Sequence, residues 1–205
     1  MCCQLSFRWW TCNTRAEHST AETQFGYLHR PTHVNTSWES AKFETSMHRL
    51  VLIEEPGFGT ALINDSSYGY DVTREASDSR VTTTMRFSLL RAPRFPDPHT
   101  VQGPQLHRYG LLIGTDIVSA TEAGIAMNIA QRTVAGEHGF DPLVELCGAG
   151  VLLSSVKLAI DRSGDVVIRI YEALGRQASS VVRINAEVAK IMTVSLLEDP
   201  LPDAS

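Results

Sequence analysis

The last third of the chain constrains the fold most, because its apolar residues alternate. From residue 165 to 173, Val166, Ile168 and Ile170 share one face while Val167, Arg169 and Tyr171 share the other. A period of two is the mark of a half-buried strand, whereas a helix spaces its apolar residues by three and four. Residues 151–160, 179–188 and 190–197 are similarly β-rich and are separated by short turn signals. Residues 161–165 (DRSGD) predict a hairpin turn in which Gly164 takes a positive φ, and Leu174-Gly175-Arg176-Gln177 predicts the next one. The expectation is an antiparallel meander, one layer of a small sandwich.

The middle of the chain is also β-rich. Residues 49–53, 60–63, 81–90 and 106–113 read as strands, interrupted by Glu55-Pro56-Gly57 and by the proline-rich stretch 92–98. Pro93, Pro96 and Pro98 each remove a ladder donor, so that stretch is expected to be a connection rather than a central strand. Residues 71–80 are polar and aperiodic and read as a loop. One helix is expected: Thr115 or Asp116 could cap it, and Ile117, Ala120 and Ala123 share a face. Gly124 is expected to end it and 125–132 to resume as a strand, with 136–142 marking the boundary between two β layers.

Composition excludes several functions. A formal net charge of −5 with no basic cluster argues against a nucleic-acid partner, which needs clustered Lys and Arg to displace counterions. The longest apolar run falls far short of the roughly 20 residues of a membrane helix, so no membrane partner is expected. The first ten residues (MCCQLSFRWW) lack the features of a secretory signal. Cys2, Cys3 and Cys12 crowd one end while Cys147 stands alone, which is neither a disulfide framework nor paired zinc spacing. Free thiols and a cytoplasmic location are expected. The glycosylation sequons at Asn35 and Asn64 read as chance matches in that setting.

Longer segments carry a family resemblance. In order they are FGYLHR (25–30), RPTHVNTSWESAKFE (30–44), PGFGTALINDSSYGYD (56–71), MRFSLLRAPRFPDP (85–98), QGPQLHRYGLL (102–112) and SVKLAIDRSGDVVIRIYEALG (155–175). The chain from about residue 15 onward resembles the C-terminal β region of glycoside hydrolase family 38 α-mannosidases of the cytosolic and bacterial kind. The resemblance implies an all-β fold: an antiparallel β-sandwich of galactose-mutarotase-like, or supersandwich, type with a small C-terminal β-sandwich layer. It divides the chain into 1–14, unlike the family's preceding strand, 15–145, part of a large sandwich, and 146–205, a small β-meander domain. An N-terminally truncated enzyme is the expectation. A sandwich cut in mid-domain exposes edges and an apolar face, so 15–145 is expected to be marginal alone and 150–197 sturdier.

The resemblance also implies retaining α-mannoside hydrolysis with a zinc ion held by Asp and His and an Asp nucleophile. Such double displacement needs two carboxyl groups about 5 Å apart. In the family these groups lie in the N-terminal catalytic domain, so no catalytic residue, no metal ligand and no cofactor is assigned to this chain. Its own residues agree. Among seven histidines the nearest pair, His29 and His33, is split by Pro31, which blocks a helical i, i+4 metal pair; a structural or solvated role is the stronger reading. Ser66-Ser67 lacks a Gly-x-Ser-x-Gly elbow, and Gly57-Phe58-Gly59 is too short to cradle phosphate.

Four residues are candidates for contact with an α-mannoside at the rim of the cleft. Arg91 matches a substrate-contacting arginine of distant family members; its guanidinium could donate paired hydrogen bonds, or simply pin the proline-rich loop. Asn64, Asp65 and Tyr68 offer polar groups and an aromatic face, against an Asx turn and a buried Tyr in a β corner. Trp38 could line a sugar site but reads more readily as a core anchor. The expected function is completion and support of an α-mannosidase, inactive without the catalytic domain. A standalone carbohydrate-binding sandwich is the alternative. A separate catalytic half or a homo-oligomer is the expected protein partner.

Overall fold

The computed structural model describes residues 3–12, 14–93, 95–139 and 141–202, the first of these as backbone. The chain divides into two compact units, Met1–Arg132 and Thr133–Ser205. The first contains β1 (Cys3–Cys12), β2 (His18–Thr23), β3 (Gly26–Pro31), α1 (Ser37–Ser40), β4 (Thr45–Ser46), β5 (Leu50–Glu55), β6 (Phe58–Asn64), β7 (Gly69–Ser77), β8 (Arg80–Ala92), β9 (Tyr109–Ile113) and α2 (Ile117–Asn128). The second contains β10 (Val144–Cys147), β11 (Val151–Leu158), β12 (Val166–Glu172) and β13 (Val181–Ile184). Among the described residues every strand pairing is antiparallel, which is the all-β architecture expected from the sequence.

In the first unit the strands form two sheets, ordered β1-β8-β7-β4 and β3-β2-β5-β6-β9. Alternation gives the second sheet two apolar faces. Ala21, Val51, Ile53 and Leu62 meet Tyr70, Met85 and Phe87 of the first sheet, making one core. Leu50, Leu52, Ala61 and Ile63 point the other way and pack with Ala120 of α2, making a second. Two buried polar groups are paired rather than stranded. The Tyr70 hydroxyl accepts from Arg30 Nη1 at 3.0 Å and lies 3.4 Å from Ser19 Oγ. Glu22, 5% exposed, accepts from the backbone N–H and the guanidinium of Arg49, which a buried carboxylate needs to offset its desolvation.

Several local expectations are corrected. Residues 71–80 are no loop: β7 pairs with β8 from Gly69–Ser88 to Ser77–Arg80. Its side chains are polar because cross-strand partners sustain it, with Asp71 taking two hydrogen bonds of 2.7 and 2.6 Å from Arg86. Helix α2 does not stop at Gly124. Its N-cap is Asp116, whose carboxylate accepts from Ser119 N at 2.8 Å, and it runs on to Asn128. Gly124 marks close packing: a Cβ there would lie 3.3 Å from Arg49 Cβ. Trp38 is not a core anchor but 81% exposed on α1. The sequon at Asn35 supplies that helix's start: Thr36 and Glu39 form a capping box.

In the second unit β11 and β12 form the expected hairpin, closed through Arg162 and Gly164 at positive φ. The meander does not continue. β13 pairs with β10 instead, and residues 190–197 form no strand, contributing only an isolated bridge between Val194 and Pro200. That segment folds on itself through Ser195 N to Asp199 O (2.8 Å) and Leu201 N to Thr193 O (3.0 Å). β10 pairs with β13, and the second compact unit begins at Thr133. Residues 3–12, expected to differ from the family's preceding strand, run along β8 as β1.

Burial is unevenly divided between the two units. Among the described residues all buried hydrophobic side chains but Ala173 lie in the first unit. The second unit is held by ribbons, turns and ion pairs. Cys147 is a free, exposed cysteine; Cys2 and the side chains of Cys3 and Cys12 lie outside the described residues.

Candidate functional site

The loop from Asn64 to Tyr68 leaves the end of β6 and enters β7. Asn64 makes it rigid. Its buried Oδ1 accepts from Ser66 N (3.0 Å) and Ser67 N (2.7 Å), an Asx turn, while its Nδ2 donates to His48 O at 3.0 Å. Its backbone carbonyl accepts from Asn128 Nδ2 at 2.8 Å, tying the loop to the end of α2. Asp65 is equally engaged. Its carboxylate accepts from Arg108 Nε (2.6 Å), Arg108 N (3.1 Å) and Ser66 Oγ (2.8 Å). The hydrogen bond from the Arg108 guanidinium, outweighing partial burial, holds the Asp65 carboxyl down at about 2.

What this scaffold presents outward is Tyr68. Its carbonyl is pinned by Met47 N at 2.8 Å, and its ring, 65% exposed, stands edge-on to His48 with centroids 5.8 Å apart. His107, 3.5 Å from Ser66 Oγ, and the mostly exposed Arg108, bonded to Asp65, meet the same loop. Aromatic faces beside hydrogen-bonding side chains suit a sugar ring, whose C–H face is apolar and whose hydroxyls both donate and accept. Asn64, Asp65 and Tyr68 therefore lie together, the first two as scaffold and the third as the exposed group. Tyr68 is not the buried corner residue that was weighed against a sugar role. Arg91 is elsewhere. It lies near the end of β8 opposite Gln4, exposed, three positions past Ser88, where the pairing of β8 with β7 stops.

His48, Arg108 and Asn128 were not legible as parts of this site. Each reaches the loop from a distant part of the chain, Arg108 from 43 and Asn128 from 64 residues away. No local pattern marks them.

A shallow depression of about 660 Å³ is lined by Arg15, Glu17, His18, Thr20, His29, Glu54 and Glu55. Its histidines are already engaged: the His18 and His29 rings are 6.5 Å apart, and His29 Nδ1 lies 2.9 Å from Thr20 Oγ1. Among the described residues no group of three or more His, Cys, Asp or Glu could hold a metal ion. The zinc implied by the family resemblance therefore has no fit among them. No described helix is long and apolar enough to cross a membrane.

The first unit is thus an antiparallel two-sheet β domain that carries an exposed tyrosine on a hydrogen-bonded polar loop. Residues 8–99 match the glycosyl hydrolases family 38 C-terminal domain. The chain is 31% identical over 206 residues to α-mannosidase of Saccharomyces cerevisiae, covering 91% of this chain and 18% of that protein. It is also 31% identical over 197 residues to human α-mannosidase 2C1, covering 92% and 18%. In fold it is similar to an α-mannosidase from Enterococcus faecalis V583, with a TM-score of 0.67, 16% identity and coverage of 97% of this chain and 23% of that one. The chain belongs to glycoside hydrolase family 38, in the C-terminal region of its α-mannosidases. It spans about 18% of the length of the curated relatives it matches.

Proposed function

We propose that the chain completes and supports an α-mannosidase active site: it supplies part of the rim around a terminal α-mannoside while another polypeptide region supplies nucleophile and zinc. The observation that carries this reading is the match to α-mannosidases over 91–92% of the chain. Tyr68 and Arg91, both exposed, are the side chains placed to touch sugar. Asn64 and Asp65 position Tyr68 by fixing its loop. We place the working protein in the cytoplasm, in keeping with the cytosolic character of the family members it resembles.

Hydrolysis of a chromogenic α-mannoside tests this. The purified chain, with or without zinc, is expected to be inactive, and activity is expected only when a family 38 catalytic region is supplied. In that complex, Arg91→Ala and Tyr68→Ala are expected to raise KM by roughly tenfold, the loss of one good contact. Turnover by the chain alone would show a nucleophile among these residues and overturn the reading.

A further inference from the structure

The β11–β12 ribbon has two unlike faces. Cross-strand partners share a face, so Leu158 with Val166, Val156 with Ile168, and Leu153 with Ile170 stand on one side. Three steps separate Val156 from Leu153, which in a regular strand would put them on opposite faces. The bulge between Leu153 and Ser155 absorbs the extra residue and keeps the apolar row in line. On the opposite face Lys157 pairs with Val167 and Ser155 with Arg169. There Lys157 and Arg169 both reach Glu198, and Arg169 donates to Leu196 O at 3.0 Å. The chain thus covers the polar face of the ribbon with its own turn. The apolar face stays open: Leu153 and Val156 are each 39% exposed, Ile170 45%, Val166 50% and Leu158 67%.

A two-stranded ribbon is marginal alone in water, and a contiguous open aliphatic patch marks an interface. We propose that this face docks onto the portion of an α-mannosidase polypeptide that lies outside the region matched by this chain, burying the row Leu153, Val156, Leu158, Val166, Ile168 and Ile170 against an apolar surface there. The length of the relatives supplies the occupant. They align with 91–92% of this chain, yet this chain accounts for 18% of each of them. Two solved structures likewise hold its fold as 23% and 24% of a longer chain. The row contains no charged or hydrogen-bonding side chain, which suits the dry centre of a protein interface and not a glycan. The inference rests on the proposed role as part of an α-mannosidase and adds the surface through which that role is exercised.

The test co-expresses the full chain with the part of the S. cerevisiae α-mannosidase outside its matched region, tagged on the latter. A complex of the two is expected, and Val156→Lys with Leu158→Lys is expected to weaken it at least tenfold. The milder Val156→Ser with Leu158→Ser should weaken it less, and both variants should keep the circular dichroism spectrum of the parent. Binding that survives the lysine pair overturns the docking face; if that complex hydrolyses an α-mannoside, the functional reading stands without it. Binding lost with the lysine pair, in a wild-type complex that never hydrolyses substrate, supports the face and sinks the functional reading. No complex at all, or a homodimer of the chain that the same lysines break, overturns the proposed occupant.

Discussion

The two units of this chain are built from the same antiparallel pairing but are held together differently. In Met1–Arg132 the five-stranded sheet is apolar on both sides, covered by the β1-β8-β7-β4 sheet on one and α2 on the other. In Thr133–Ser205 each ribbon has two strands, and Ala173 is the one buried hydrophobic residue among those described. Hydrogen-bonded ladders are common to both and so cannot explain a difference in stability. Layers that exclude water can. Alternation in sequence is enough to make a strand, but a second layer is needed to make a core.

Core truncation should separate the units most. Phe87, 1% exposed, packs among Tyr70, Met85 and Val51, and Phe87→Ala is expected to cost about 3–5 kcal/mol in denaturant unfolding of the first unit. Leu158→Ala, at a position 67% exposed in this chain, should cost less than about 0.5 kcal/mol. Equal losses would break the comparison. Gly59→Ala comes next. A Cβ at Gly59 would fall 2.2 Å from Thr115 O, a backbone atom beside the cap of α2, so the helix must shift. A loss of about 1–3 kcal/mol is expected, read as a lower unfolding midpoint; an unchanged midpoint would mean that α2 contributes little to its core.

β5 was legible in the sequence because its own side chains are buried, and β11 and β12 because theirs alternate. Leu50, Val51, Leu52 and Ile53 form a run because both faces of β5 are covered. β7 was illegible for the opposite reason: Asp71, Thr73 and Glu75 gain their order from Arg86, Thr84 and Thr82 across the ladder. Gly124 misled because a residue that weakens a helix locally is here required by the nearness of Arg49. The candidate site divides likewise. Asn64, Asp65 and Tyr68 lie in one short stretch and could be picked out, whereas the residues that lock them come from distant connecting segments and from α2. The weak burial of the second unit was hidden because alternation looks the same whether or not a partner layer exists.

Asp65 offers a smaller, pH-resolved contrast within the well-packed unit. Its folded carboxyl sits at about 2 against an ordinary value of 3.8, so the ionised form is favoured in the folded chain. The stabilisation is fully present above the unfolded value and is lost as pH falls from about 4 toward 2. Arg108 is mostly in water, its side chain 67% exposed, so solvent screening limits the contribution to about 1 kcal/mol or less. Asp65→Asn should therefore lower stability at pH 6 by that amount and match the parent near pH 2. A difference that persists at pH 2 would assign the effect to loop geometry rather than charge.

Glu198 should give the smallest effect, and it tests whether the second unit is held by local braces. Its carboxylate accepts from Lys157, from Ile160 N at 2.8 Å and from Arg169, and the Lys157 hydrogen bond leads in pulling its pKa below 4.5. The brace is thus intact above the unfolded value and released as pH drops through the lowered folded one. Glu198→Gln at pH 7 is expected to speed amide exchange at Ile160 and Leu201 severalfold while leaving the first unit's unfolding midpoint unchanged, since no buried apolar layer depends on it. The parent should show the same acceleration, beyond the intrinsic pH effect, when acidified below that pKa. If the substitution instead unfolded the whole second unit cooperatively, the ion pairs around Glu198 would be doing there what buried side chains do in the first, and the contrast between the units would be one of means and not of strength.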